Sequence, residues 1–141
     1  MTVKFSGQIR AQVIQPDVLT RFSFTAGEAI TSGQFVAKGE TDGRVYKAKA
    51  DDSTRMPAIG CAVSNGGAGE TVYITPSGVI SSISGGGSFS RDQSIFVSKT
   101  AGQATNTPPE DSGDLVQYVG RSINATDVML NISELVIKVN P

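Results

Sequence analysis

The chain contains no histidine and no tryptophan, and Cys61 is its single cysteine. Without histidine there is no imidazole to act as base at neutral pH, so Ser/His/Asp and Cys/His relays are excluded. One cysteine cannot form an internal disulfide framework, and no Cys/His cluster offers zinc ligands. Cys61 itself has no histidine to activate it and no basic neighbour in sequence, so it is expected to be a small buried hydrophobe. Aromatic residues make up only 6% of the chain, which argues against a module that stacks sugars on exposed rings. Charge is nearly balanced, with 12 basic and 13 acidic groups. No basic face is forced by that balance, and nucleic acid is a poor expectation for the partner. No apolar run approaches the roughly 20 residues needed to cross a bilayer, and no basic-then-apolar leader opens the sequence. The expectation is a soluble chain made in a cytoplasm, with no membrane partner.

What is abundant is turn chemistry. Sixteen glycines and six prolines in 141 residues favour many short strands joined by tight turns in a single domain. No stretch has the composition of a long helix.

The pattern that organises the chain is an internal echo. Ala58-Ile59-Gly60-Cys61-Ala62-Val63-Ser64 returns as Tyr118-Val119-Gly120-Arg121-Ser122-Ile123-Asn124, at an offset of 60. Upstream, Phe35-Val36-Ala37-Lys38 is matched to Phe96-Val97-Ser98-Lys99 at 61, and the turns Asp42-Gly43 and Ala101-Gly102 at 59. Downstream, Val72-Tyr73-Ile74 is matched to Val128-Met129-Leu130 at 56. Order is kept while loop lengths drift, as expected of a duplicated β-unit. The repeat is placed at about residues 27–78 and 89–133, with Gly85-Gly86-Gly87 as the link between copies. The fold class is therefore all-β: a small β-barrel or closed β-sandwich built from two related halves, with an extended N-terminal arm.

Within the first copy, Arg21–Thr25 alternates so that Phe22 and Phe24 share a face, where both rings are expected to bury. Lys47–Met56 is expected to be an exposed loop whose adjacent Asp51 and Asp52 are solvated charges. Ile59, Cys61 and Val63 are expected on one face of the central strand, with Gly60 and Ala62 keeping the other thin enough for close approach of a backbone or ring. In the second copy Arg121 stands where Cys61 stood. Either its stem snorkels out of the barrel's mouth, the preferred reading, or that face is an interface. Residues 128–132 and 135–139 read as two closing strands, the last locking the barrel.

Residues 1–16 alternate like a strand up to Pro16, which cannot donate to a ladder. They form a candidate arm, able to complete their own sheet or to add to a neighbour's edge. Residues 17–141 are the remaining single domain.

Two sets of residues carry a family resemblance. Ala26, Gly27, Ala29, Ile30, Gly33, Val36, Asp42, Gly43, Val45, Ala58, Ile59, Gly60, Ala62, Ala68, Gly69, Glu70 and Val72 resemble the small capsid decoration, or cement, proteins of tailed bacteriophages. Ala101, Gly102, Thr105, Asn106, Thr107, Pro108, Ser112, Gly113, Asp114, Val116, Gln117, Val119 and Gly120 resemble the closing segment of phage decoration and head-fibre proteins. The resemblance implies a non-enzymatic virion protein on the outer surface of a phage head, made in the host cytoplasm. It would bind the major capsid protein at capsomer junctions, often as a homotrimer, with no cofactor and no small-molecule substrate. Val3, Phe5, Ile9, Arg10 and Val13 of the arm, together with Arg121, are the candidate partner-binding residues. Two rivals are a fibre or spike subunit that binds host carbohydrate, which predicts exposed aromatics clustered at one end, and a small Ser/Lys hydrolase, which predicts a lysine of depressed pKa.

Overall fold

A computed structural model describes residues 21–140. Twelve short strands and one turn of 3-10 helix, Ser53–Arg55, make up the regular structure among the described residues. The first sheet contains β1 (Phe22–Thr25), β2 (Phe35–Lys38), β3 (Val45–Lys47), β4 (Ala58–Ala62) and β5 (Thr71–Thr75), in the order β1-β5-β4-β2-β3. The second contains β6 (Ser77–Ile80), β7 (Ser94–Val97), β8 (Ala104–Thr105), β10 (Tyr118–Ser122) and β11 (Val128–Asn131), in the order β6-β11-β10-β7-β8. Replacing each strand of the first sheet by its counterpart in chain order turns one order into the other. All these ladders are antiparallel.

The likeness extends to single residues. In the first sheet Val36 faces Gly60 and Ala37 faces Ala58, so Ile59 is the extra residue of a bulge. In the second Ile95 faces Gly120 and Phe96 faces Tyr118, so Val119 is the extra residue there. The turn before each β2-type strand repeats too. Gln34 Oε1 accepts from Thr31 N at 2.9 Å, and Gln93 Oε1 accepts from Ser90 N at 2.9 Å. Gly33 N donates to Ala62 O at 2.8 Å, and Asp92 N donates to Ser122 O at 2.7 Å. Gly33 and Asp92 both take positive φ, 94° and 63°, the conformation that this tight turn requires.

These ladders correct two of the echoes. With Gly60 equivalent to Gly120, Val36 corresponds to Ile95 and Phe35 to Ser94, an offset of 59 rather than the 61 that matching phenylalanines gave. Ile74 faces Ala62 and Val128 faces Ser122, so the downstream offset is 54 rather than 56. The misreadings arise because equivalent positions meet different surroundings in the two halves and so carry different residue types.

Neither sheet closes into a barrel; the arrangement is a sandwich. Each sheet nevertheless curls. A single parallel bridge, Ala26 with Val45, draws the edges of the first together, and Ala104 N donates to Ser84 O at 2.8 Å in the second. The curl of the first sheet encloses a small cluster containing Ile30, Val36, Val45, Ala62, Val72 and Ile74. The larger cluster joins the sheets: Phe35, Ala37 and Cys61 of the first pack in one body with Ile95, Val97, Val119, Val128 and Leu130 of the second. At about 25 cal/mol per Å² of apolar surface, this shared cluster is the main force holding the halves together.

Several local expectations change with this arrangement. The bulge flips the alternation, so Ile59 packs with Ala62 and the small cluster, away from Cys61. Lys47–Met56 is not wholly exposed, because Ala48 and Ala50 are fully buried under the second sheet's edge, with Ala50 N donating to Ser98 O at 3.0 Å. Its acidic pair is engaged locally: Asp51 bonds Lys49, and Asp52 caps the 3-10 turn through Thr54 N. The chain crosses between sheets at Pro76, since β6 already belongs to the second sheet, and Gly85–Gly87 lies inside that half. Among the described residues the last strand, β12 (Ile137–Lys138), pairs only with β9 (Leu115–Val116) in a separate two-stranded ladder and locks neither large sheet.

Candidate functional site

Surface, rather than a chemical centre, is what the described residues offer. Among them no group of three or more His, Cys, Asp or Glu is placed to hold a metal ion. Burial pushes the Cys61 thiol up to about 12, which makes it inert at neutral pH. The pKa of Lys99 is raised by its bond to Asp111, opposite to the depression that a Ser/Lys nucleophile pair needs.

Two surfaces stand out. The first is the outer face of the second sheet. Val79, Met129, Arg121 and Ser94 lie in one cross-strand row over β6, β11, β10 and β7. Val79 and Met129 are 57% and 56% exposed. Beside this row Phe96 and Tyr118 meet edge to face, ring centroids 6.3 Å apart, a favoured aromatic geometry. Arg121 lies exposed on this face rather than in any barrel mouth. Its Nε donates to Asp92 Oδ1 at 2.8 Å and its second terminal nitrogen to Asp92 O at 2.6 Å. The guanidinium holds the Asp92 carboxyl below its usual range through that hydrogen bond and its charge.

The second surface is an apolar groove of about 290 Å³ at the open end of the first sheet's curl, lined by Phe22, Phe24, Lys38, Ile59, Ile74 and Pro76. Phe22 is 52% exposed, contrary to the expectation that both rings of β1 bury; Phe24 is half-buried. Alternation did place them together, since both line this groove. A neighbouring hollow of about 300 Å³ shares Ile59 and Pro76 and extends the apolar lining to Ile132.

Among the described residues the exposed aromatics do not gather at one end. Tyr73 faces Ser23 across the β1–β5 ladder, while Phe22 faces Ile74, so the two rings point to opposite sides of the edge. Arg21 covers the Tyr73 ring, its guanidinium carbon 5.0 Å from the centroid. Of the predicted partner-binding residues, Val3, Phe5, Ile9, Arg10 and Val13 lie outside the described residues. Arg121 alone is placed; its exposed neighbours Val79 and Met129 were not singled out by the sequence pattern.

Two related curled sheets packed as a sandwich, with their distinctive features on exposed faces, define an all-β surface-binding protein of duplicated design. The chain belongs to the phage cement protein family, whose model matches residues 14–128. A search of curated proteins finds no match. Membership gives the chain a role in decorating a phage capsid and a capsid-associated place in the virion.

Proposed function

We propose that this chain binds the outer surface of a phage head at the junctions between capsomers and stabilises the shell there without catalysing a reaction. The family match over residues 14–128 carries the reading. The placement of exposed apolar and aromatic side chains on sheet faces supports it, because protein-binding surfaces are rich in Met, Tyr, Phe and Arg. Its partner is the major capsid protein, and it is made in the host cytoplasm. Residues 1–16 act as an arm that adds a strand to a capsid edge, with Val3, Phe5, Ile9, Arg10 and Val13 as its contact residues. Residues 17–141 form the body that sits on the shell. The protein works as a homotrimer, so that symmetric engagement multiplies weak single contacts.

The test is binding to expanded, undecorated heads, read by co-sedimentation and by the temperature at which the heads rupture. The intact chain should bind and raise that temperature, and the chain lacking residues 1–16 should lose binding while keeping its own unfolding transition. Full binding by the truncated chain would exclude the arm as the attachment device.

A further inference from the structure

The duplication makes one interface visible twice, once filled and once open. Inside the chain, the outer face of the first sheet is covered: Phe35, Ala37 and Cys61 are at most 1% exposed, packed against the second sheet. The equivalent positions of the second sheet, Ser94, Phe96 and Arg121, lie on the open face described above, beside Met129. The converse holds on the receiving side. Val97, Val119, Val128 and Leu130 are buried in the joint cluster. Their counterparts in the first half, Lys38, Ile59 and Pro76, line the open apolar groove together with Ile74, which like Val128 is buried, and Phe22 stands there in the place of the buried Ile80.

Each half thus has a giving face and a receiving end. One giving face and one receiving end meet within the chain, and the other two remain open on it. We infer that the occupant of the groove is a second copy of this chain, whose outer face of the second sheet, centred on Met129 and Arg121, packs over Phe22, Ile59 and Pro76. The new contact continues the intrachain one by the same repeat relation. Its residue types fit: an aromatic pair, a methionine and an arginine held by Asp92 meet two phenylalanines, an isoleucine and a proline. It also accounts for the replacement of Cys61 by Arg121. A face that is permanently inside the chain takes a small buried thiol, and a face that must stay soluble until a neighbour arrives takes a guanidinium with a local carboxylate. Contact of this kind is heterologous, head to tail, and builds a ring when the rotation between copies closes. The inference deepens the homotrimer part of the reading above by naming the surfaces.

The experiment uses the full-length chain and two single variants, Phe22→Asp in the groove and Met129→Asp on the outer face, with mass in solution read by light scattering. Both positions are exposed, and circular dichroism with thermal melting checks that each variant keeps the fold. The wild type should have the mass of two or more chains. Each variant alone should fall to one chain, and an equimolar mixture should form one-to-one dimers, because it holds one intact groove and one intact outer face. A monomeric wild type, a variant that keeps the wild-type mass, or a mixture that stays monomeric overturns the inference. Unchanged mass for Phe22→Asp is the outcome expected if the chain's own residues 1–20 fill the groove. Failure here is separable from failure of the cement reading: a monomer that still binds undecorated heads removes only the copy-to-copy contact, and an assembled chain that ignores heads removes only the cement role.

Discussion

Gln117 shows how much a single side chain can decide. It is 1% exposed, yet every polar atom of its amide is used: Oε1 accepts from Ala58 N at 2.8 Å, and Nε2 donates to Ala58 O and Ser133 O at 2.9 and 2.8 Å. It ties the central strand of the first sheet to the segment leading into that of the second. Gln117→Leu keeps the volume but strands the Ala58 backbone pair, and it should cost about 2–4 kcal/mol in denaturant melts. A loss below about 0.5 kcal/mol would mean that water replaces the amide. Gly60 is limited by space instead. A Cβ there would sit 2.5 Å from Ile74 Cγ2 and 2.7 Å from Thr75 O, and at Gly120 it would sit 2.3 Å from Met129 O. The thinness read from the sequence at Gly60 is therefore real, and the close approach comes from the neighbouring strand. Gly60→Val should lower stability by at least about 1–3 kcal/mol. Cys61 should resist thiol reagents in the native protein and react only on unfolding, measured by the rate of labelling with and without denaturant.

Acid sensitivity also belongs to individual residues. Asp42, Asp92, Asp111 and Asp127 are all held below the ordinary 3.8, chiefly by side-chain bonds to Tyr46, Arg121, Lys99 and Asn124 respectively. A carboxyl depressed by folding contributes stability that is complete above its unfolded pKa and is lost as pH falls through its lower folded value. The melting temperature should therefore be flat above about pH 5 and drop between about pH 4 and pH 2. Asp92→Asn should start lower and fall less over that window. Asp42, Asp92 and Asp111 are exposed and Asp127 is half-buried, so each effect should be modest and should shrink in high salt.

At the scale of elements, the sequence carried the central strand and its neighbours' order well, because glycine at positions 60 and 120 answers a constraint that both halves share. It carried the flanking strands poorly. The phenylalanines at 35 and 96 look equivalent, yet one sits in the sandwich interior and the other on its outer face; the true equivalents, Phe35 and Ser94, differ because one is covered and one is not. The signal that survives is polar and local: Gln34 and Gln93 each close a turn by accepting from the backbone three residues earlier. Gln34→Ala and Gln93→Ala should each cost about 0.5–1.5 kcal/mol, and by similar amounts, because they break the same bond in the same turn. Markedly unequal losses would show that the two turns are not equivalent in energy. The bulges at Ile59 and Val119 were not legible, because a bulge adds one residue without altering composition. The groove was half legible: alternation put Phe22 and Phe24 together, but only the curl of the sheet shows that one end of it is left open.

At the scale of the whole molecule, the duplicated sandwich and membership of the phage cement protein family point the same way. A two-sheet body with Met129, Tyr118 and Arg121 on the outer face of its second sheet is suited to lying on a larger assembly. The most direct test of that account is titration of undecorated, expanded phage heads with the purified chain, counting bound copies per head at saturation and following head rupture on heating. The account predicts saturable binding at a fixed number of copies set by the capsid lattice, with a rise in rupture temperature that tracks occupancy. Binding that never saturates, or saturated heads that rupture at the temperature of bare ones, would contradict it.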